Sequence, residues 1–257
     1  MGIVNLTDNS FSGDGLHGQA NAAIAQGRRM VEEGAELLDL GAESSRPGAE
    51  PVSLQQELDR LLPVVTGLRD CGVPLSIDTV KPEVMRAAID AGADLINDIA
   101  ALQAPGALAA VAAGKAAVCL MHMRGEPRTM QADPHYDDVV GEVLAFLMDR
   151  VAACEAAGIS RQRIVIDPGF GFGKTLGHNL HLLRHLDRFV ATGLPVLAGI
   201  SRKSMLGQMT GKPVGERVHA GVAAALLAVQ RGARIVRVHD VAATRDALAV
   251  WLAIEGA

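Results

Sequence analysis

One pattern recurs eight times along the 257-residue chain and constrains the fold more than any other feature. Each repeat has a short apolar run, then a loop with polar residues and glycine, then an Ala- and Leu-rich amphipathic stretch. Strands that alternate with helices in this way predict an α/β fold with a parallel sheet. The predicted strands are Gly2–Asn5, Leu37–Gly41, Leu75–Asp78, Leu95–Asp98, Ala117–Met121, Ile164–Asp167, Val196–Gly199 and Ile235–His239. The predicted helices are Ala20–Glu33, Leu54–Cys71, Pro82–Ala91, Pro105–Ala113, Asp137–Ala157, Leu180–Thr192, Gly215–Arg231 and Val241–Ile254.

Eight such units can close into a (β/α)8 (TIM) barrel or remain an open, doubly wound sheet. The first strand lacks the Gly-rich turn that a dinucleotide-binding open sheet carries after it. About 250 residues is also the usual size of one closed barrel. The sequence therefore predicts a single barrel domain over residues 1–257.

Composition narrows the possible partners and the location of the protein. A net charge of −5, with one Trp and one Tyr, argues against a nucleic-acid surface or a base-stacking platform. The three cysteines are widely separated and odd in number, which indicates a reducing cytoplasm rather than a disulfide framework. The sequence shows no targeting segment and no run of the ~20 apolar residues that a membrane span requires.

Polar residues collect where the predicted strands end, which is where active sites of (β/α)8 barrels lie. The set comprises Asn5, Glu43, Ser44, Ser45, Arg46, Asp78, Asn97, Asp98, His122, Asp167, Ser201, Arg202, Lys203, Arg237 and His239. Arg237 and His239 share one face of the last strand because side chains alternate, and Val238 takes the other face. With Ser201, Arg202 and Lys203 close by, this pair predicts a clamp for a small anion.

Asp78, Asn97 and Asp167 form a second cluster, made of hydrogen-bond acceptors. Carboxylates at adjacent positions can accept paired N–H groups from a planar heterocycle such as a 2-amino-4-oxopyrimidine. The alternative for each residue is a structural aspartate that caps a loop, and this alternative is strongest for Asp98.

Two motifs are discounted. Pro168–Thr175 resembles a phosphate-binding P-loop, but three residues rather than four separate Gly169 from Gly173, and Pro168 stands where glycine is needed. His178, His181 and His185 share a helical face at a spacing that metal ligands use, yet no Glu base or nearby Cys accompanies them. We interpret these histidines as a solvated face.

The whole chain resembles the bacterial dihydropteroate synthases. The resemblance rests on eight stretches in the family's order and spacing. These are Met1–Thr7 with Ser10–Ser12, Gly41–Ala49, Ser76–Val84, Ile96–Ile99, Leu120–Gly125, Asp167–Lys174, Gly199–Ser204 and Arg237–Val241. The resemblance implies a transferase that joins p-aminobenzoate to 6-hydroxymethyl-7,8-dihydropterin diphosphate, using Mg2+ and releasing pyrophosphate.

The resemblance also implies roles for individual residues. It implies that Asp78, Asn97, Asp167 and Lys203 bind the pterin between walls formed by Met121 and Phe172. The implied ligands of the diphosphate and Mg2+ are Asn5, Arg46, Arg237 and His239, and the implied p-aminobenzoate pocket comprises Ser45, Arg46, Pro47, Ser201 and Lys203. The implied catalytic residues are Asp78, Asp167, Lys203, Arg237 and His239. A homodimer is implied as well.

The chain departs from the family's usual pattern in its first two loops. The first loop has Asp8 for Pro, Asn9 for Asp and Gly13 before a displaced Asp14, and the second has Ser45 for Thr. Three other functions stay open on the residues: a barrel that binds pterin without turnover, a pterin-dependent methyltransferase domain and a Schiff-base aldolase that uses Lys203. The methyltransferase needs no diphosphate clamp, so Arg237 and His239 favour the synthase.

Overall fold

A computed structural model of the chain describes residues 1–6, 15–43, 51–127 and 129–255. Its strands are β1 Gly2–Asn5, β2 Leu38–Gly41, β3 Leu75–Asp78, β4 Leu95–Asp98, β5 Ala117–Met121, β6 Ile164–Asp167, β7 Leu197–Ala198 and β8 Ile235–Val236. Strands β1 to β6 pair in parallel in chain order, and β7 pairs in parallel with β8. Single parallel bridges, Ile166 to Val196 and Gly2 to Val238, join the two sheets at both seams. The eight strands are therefore arranged as the predicted barrel.

The seams explain why the last two strands are shorter than predicted. Val196 and Val238 lie just outside β7 and β8, and each pairs with the neighbouring sheet through one bridge only. The amide of Val238 donates to the carbonyl of Met1 at 2.9 Å, and that of Ile3 donates to Val238 at 3.0 Å. The backbone thus continues as an extended chain where the regular ladder stops.

The helices surround the strands in the predicted order. They are α1 Gly15–Glu32, α2 Leu54–Leu68, α3 Pro82–Ala91, α4 Ala107–Ala112, α5 Val139–Ala156, α6 Leu176–Arg184, α7 Asp187–Val190, α8 Ser204–Thr210, α9 Val218–Gln230 and α10 Val241–Glu255. Short 3-10 turns cover Arg161–Arg163 and Val214–Glu216. The predicted single helix Leu180–Thr192 is wrong, since α6 ends at Arg184 and α7 follows. Thr175 caps α6 through a reciprocal capping box with His178, which starts the helix four residues early.

Strand alternation divides the core into two parts. Side chains such as Val4, Leu40, Ile77, Ile96 and Val118 point outward and pack beneath the helices. Inside the barrel, a separate apolar cluster of Leu95, Cys119, Val165 and Leu197 fills the end at which the strands begin. The inward positions toward the carboxyl ends of the strands are polar instead. We call that end the mouth.

In the part of the chain that the structure describes, no helix is both long enough and apolar enough to cross a membrane.

Candidate active site

The register of the sheet brings the acidic residues of neighbouring strands together at the mouth. Asp78, the last residue of β3, pairs with Gly41 of β2 on one side and with Asn97 of β4 on the other. Asp39 lies two residues before Gly41 and shares its inward face. Arg237 lies just beyond β8 and reaches across the interior to both carboxylates.

Arg237 and two carboxylates form a hydrogen-bonded polar network at the mouth. Its Nε donates to Oδ2 of Asp39 at 2.5 Å, and its Nη2 donates to Oδ2 of Asp78 at 3.0 Å. Asp39 is fully buried and also accepts from the hydroxyl of Ser76 at 2.6 Å and from Nδ2 of Asn97 at 3.3 Å. These bonds fix the plane of the guanidinium group and the position of Asn97.

Sequence reasoning missed Asp39. A signal was present, because a charged residue between Leu38 and Leu40, both fully buried, must face the interior with a partner. A search for polar residues at strand ends does not find Asp39, because this residue lies inside β2.

Burial sets the protonation behaviour of this network. Burial raises the pKa of Asp78 to about 7, and the negative charge of Asp39 adds to the effect, while the positive charge of Arg237 partly offsets it. Burial alone would lower the pKa of Arg237, but the charges of Asp39 and Asp78 outweigh it and raise that pKa. Arg237 therefore stays charged, and Asp78 titrates near neutral pH.

Asp167 and Lys203 form the charged pair on the opposite side of the mouth. Asp167 ends β6 and accepts from the amide of Gly169 at 2.7 Å. Burial raises its pKa, and the positive charge of Lys203 opposes that rise. Burial lowers the pKa of Lys203 to about 8, against the stabilising charge of Asp167. The ammonium of Lys203 donates to the carbonyl of Phe170 and lies 4.7 Å from the centre of the Phe172 ring.

The loop after β6 packs too closely against its neighbours for side chains at two positions. A Cβ on Gly169, whose φ is +70°, would lie 1.9 Å from the carbonyl oxygen of His122. A Cβ on Gly173, at φ +62°, would lie 2.3 Å from the carbonyl oxygen of Arg124. These glycines allow the loop after β6 to contact the loop after β5. This contact explains the Gly-rich run, and no nucleotide triphosphate site is needed to account for it. The same packing brings Gly169 against the buried side chain of Met121.

Ser201 and His239 are brought together as the sequence suggested. The amide of His239 donates to Oγ of Ser201 at 3.2 Å, and this hydroxyl lies 3.1 Å from Nδ1 of the same histidine. Because Oγ already accepts from the amide, its own proton is available for Nδ1. Arg202 differs from the expectation, since it pairs with Asp240 at 2.5 and 3.2 Å rather than contributing an uncompensated charge.

Other expectations meet mixed outcomes. The interpretation of Asp98 as a loop cap is confirmed, because its two oxygens accept from the amides of Ala100 and Leu102, each at 2.7 Å. His178 serves in the capping box of α6, and its ring packs edge-on against Tyr136 at 4.9 Å. The expectations that fall outside the described residues concern Asp8, Asn9, Gly13, Asp14, Ser44, Ser45, Arg46 and Pro47.

Asn5 ends β1 at the level of Gly41, so it lies at the mouth beside the Asp39–Asp78 side. Among the residues that the structure describes, no group of three or more His, Cys, Asp or Glu side chains could hold a metal ion.

A parallel α/β barrel with acceptors and cations gathered at its mouth is the architecture of a small-molecule enzyme. The family described as "Pterin binding enzyme" matches residues 1–239. The dihydropteroate synthase of Haemophilus influenzae is 51% identical over 260 residues, covering 100% of this chain and 94% of that protein. The chain belongs to the pterin binding enzymes and, within them, to the dihydropteroate synthases.

Solved structures agree with this assignment. The Xanthomonas albilineans dihydropteroate synthase with 4-aminobenzoic acid is 54% identical, with a TM-score of 0.94 over 100% of this chain and 92% of that one. The same organism's enzyme in complex with 7,8-dihydropteroate is 52% identical, with a TM-score of 0.90 over 100% of this chain and 93% of that one.

Proposed function

We propose that this chain joins the amine of p-aminobenzoate to the exocyclic methylene of 6-hydroxymethyl-7,8-dihydropterin diphosphate. The products are 7,8-dihydropteroate and pyrophosphate. The observation that carries the proposal is the buried mouth network, in which Asp78, Asn97 and Asp167 offer acceptors beside Arg237 and Lys203. Full-length identity to dihydropteroate synthases supports the same reaction.

Pterin recognition is assigned to the acceptors. The 2-amino-4-oxo edge of a pterin presents adjacent N–H donors, which an ionised carboxylate accepts as a pair. We assign this edge to Asp167 and Asn97, and a further ring N–H to Asp78. Met121 and Phe172 are the apolar walls, consistent with the buried Met121 and with Phe172 against the ammonium of Lys203.

The diphosphate is assigned to Arg237 and His239, with Arg46 as a further expected ligand. Two of the five guanidinium N–H donors of Arg237 serve Asp39 and Asp78, which leaves the others for phosphate oxygens. His239 is oriented by Ser201. The mouth thus holds an acceptor set for the ring and a donor set for the leaving group.

Mg2+ is assigned to Asn5 together with the diphosphate. An amide oxygen suits this hard cation, which commonly takes few protein ligands and completes its shell with substrate phosphates and water. When bound, the ion neutralises charge on the departing pyrophosphate. Asn5→Ala should raise the Mg2+ concentration for half-maximal rate about tenfold. A titration of rate against Mg2+ that leaves this concentration unchanged removes Asn5 as a ligand.

We propose that pyrophosphate leaves before the new bond forms. The C–O bond breaks with its electron pair on pyrophosphate, which leaves a cation delocalised over the methylene and the pterin ring. Asp78 and Asp167 stabilise that positive charge. The amine nitrogen of p-aminobenzoate then attacks the methylene and loses a proton to solvent. In this scheme Ser201 and Lys203 hold p-aminobenzoate with Ser45, Arg46 and Pro47.

Pyrophosphate release measured with the pterin diphosphate, with and without p-aminobenzoate, tests this function. We expect steady release with both substrates and a burst no larger than the enzyme concentration with the pterin diphosphate alone. Absence of a burst overturns the order of steps. Pterin binding by calorimetry without any pyrophosphate release favours the barrel that binds without turnover.

A homodimer is proposed from the exposed apolar side chains late in the chain. Leu227 of α9 and Val250, Leu252 and Ile254 of α10 are 41–68% exposed. Val250 and Ile254 lie one turn apart on the same face of α10, which packs beside α9, and these exposed apolar side chains fit a self-complementary interface. Sedimentation velocity should give twice the monomer mass, and Ile254→Lys should shift the protein toward monomer. We also propose a cytoplasmic location, which three unpaired cysteines favour.

A further inference from the structure

The loop that follows β6, which we call the β6 loop, contains a buried lysine that has no role in the proposed reaction. The side chain of Lys174 is 3% exposed, and its ammonium donates to the carbonyl of Phe172 at 2.9 Å. It also contacts His122 twice, at Nδ1 (3.0 Å) and at the carbonyl oxygen (3.3 Å). A P-loop lysine points at phosphate, whereas this one points into the protein.

His122 acts as a neutral acceptor for that ammonium. Its ring packs edge-on against Phe146 at 5.0 Å and lies 6.1 Å from the ring of Tyr136. Burial lowers the pKa of His122 to about 3, and the charge of Lys174 lowers it further. The ring therefore carries its proton on Nε2 and accepts at Nδ1.

Lys174 thereby ties together two loops of the mouth. His122 directly follows β5, and Phe172 lies in the loop after β6. Asn179 of α6 braces the same loop, since its Oδ1 accepts from the amide of Gly171 at 2.7 Å and its Nδ2 donates to Thr175 at 2.7 Å. Three glycines of this loop have positive φ values, so hydrogen bonds rather than side-chain packing define much of its path.

The braced loop contacts Lys203 at two points. The carbonyl of Phe170 accepts from its ammonium, and the ring of Phe172 faces that ammonium at 4.7 Å. A Cβ on Gly171 would lie 3.2 Å from Cδ of Lys203, so the backbone also packs against its aliphatic chain. The conformation of the loop therefore fixes the position of Lys203.

We propose that Lys174 is a positioning residue for the pterin subsite, which locks the β6 loop to His122 so that Phe172 and Lys203 keep the geometry that binds the pterin ring. This rests on the proposed function only in the identity of the ligand. The residue touches neither substrate in this scheme and acts through Phe172 and Lys203.

Calorimetry with 6-hydroxymethyl-7,8-dihydropterin, which lacks the diphosphate, tests the proposal on the full chain. Lys174→Met keeps the length of the side chain and removes its donors, and we expect about a tenfold rise in Kd. The KM for p-aminobenzoate should rise less than the pterin Kd, because Lys203 is assigned to both substrates whereas Phe172 is assigned to the pterin alone. Lys212→Met is the matched control, because Lys212 is exposed and pairs with Glu216 on the surface. Its Kd should equal that of the unmodified protein.

A second pair of variants decides the question if Lys174→Met does not fold. His122→Asn keeps an acceptor close to the position of Nδ1, whereas His122→Leu removes it. We expect a near-normal pterin Kd for His122→Asn and a rise of about tenfold for His122→Leu. An unchanged Kd in a folded Lys174→Met, or equal Kd values for the two His122 variants, overturns the proposal. An equal loss toward both substrates does so too, since it marks a merely structural role.

The binding readout separates this proposal from the proposed reaction. If the unmodified protein binds the pterin but releases no pyrophosphate with both substrates, the reaction is wrong and the Lys174 comparison still stands. If pyrophosphate is released normally and Lys174→Met binds pterin unchanged, the reaction stands and the positioning role is wrong.

Discussion

The two sides of the barrel mouth bury charge in opposite proportions. On the carboxylate side, Asp39 and Asp78 face one guanidinium, that of Arg237. On the lysine side, Lys174 and Lys203 face one carboxylate, that of Asp167. Both ammonium groups donate to backbone carbonyls, and that of Lys174 also donates to Nδ1 of His122. The first side is rich in acceptors and the second in donors.

The two cation types respond differently to this burial. A guanidinium keeps its proton in proteins, so the charge of the buried Arg237 must be compensated by its carboxylate partners. An ammonium can lose its proton, and burial lowers the pKa of Lys174 to about 7 and that of Lys203 to about 8. The cation of the carboxylate side therefore keeps its charge, whereas the two cations of the lysine side can lose theirs as the pH rises.

The largest expected effect is the loss of turnover when one charged residue is replaced on either side of the mouth. Asp78→Ala and Lys203→Ala should each abolish measurable turnover, a fall of about 10³-fold, because each removes a charged group aimed at the bound pterin. Initial rates of pyrophosphate release provide the measurement. Arg86→Ala, an exposed change on α3, serves as the control. Retained activity in either variant removes that residue from the site and makes the two sides unequal in function.

The next prediction compares the stability of the two sides. Asp39→Ala removes one partner of the buried Arg237 guanidinium, which cannot deprotonate. We expect a loss of about 3–5 kcal/mol in the free energy of unfolding. Asp167→Ala should cost less, about 1–3 kcal/mol, because the lysines can release a proton when their carboxylate is lost. Urea denaturation of the two variants at pH 7 measures the difference. Equal losses would show that the ability of the lysines to release a proton does not affect the free energy of unfolding.

How much of this could be predicted from the sequence depends on the residue. The bounds of β1 and of β3 to β6 follow from their apolar runs, and Asp78, Asn97, Asp167, Lys203 and Arg237 do meet at the mouth. A strand-end rule finds such residues because parallel strands share one edge. The strand-end rule does not find Asp39, because this residue lies inside its strand and its partner is nearly two hundred positions away.

The lysine side shows a different limit. The Gly-rich run before Lys174 could be rejected as a nucleotide site from spacing alone. Its true constraints, the carbonyls of His122 and Arg124 against Gly169 and Gly173, are contacts between loops. Such contacts leave no periodic signal in one sequence. The break between α6 and α7 escaped for a similar reason, because the capping by Thr175 competes with the apolar period.

The pH profile provides a finer comparison. An ionised Asp78 accepts from the pterin and stabilises positive charge better than the neutral acid does, so kcat/KM for the pterin diphosphate should rise with pH through about 7. Lys203 loses its charge near pH 8, so the rate should fall above that value. The result is a narrow bell whose limbs belong to opposite sides of the mouth. Lys203→Arg should flatten the alkaline limb and leave the acid limb in place. A profile whose alkaline limb survives that change assigns the limb to another group.

The smallest expected effect uses a capping box on each side of the mouth. Ser53 caps α2 and Thr175 caps α6, each with a reciprocal bond from the third helical residue. Replacing either with Ala should cost about 1 kcal/mol of stability, measured by thermal unfolding. Thr175 directly follows Lys174, so Thr175→Ala should also weaken pterin binding a few-fold, whereas Ser53→Ala should not. Equal pterin affinity in both variants would mean that the β6 loop holds its conformation through Lys174 and Asn179 without help from the start of α6.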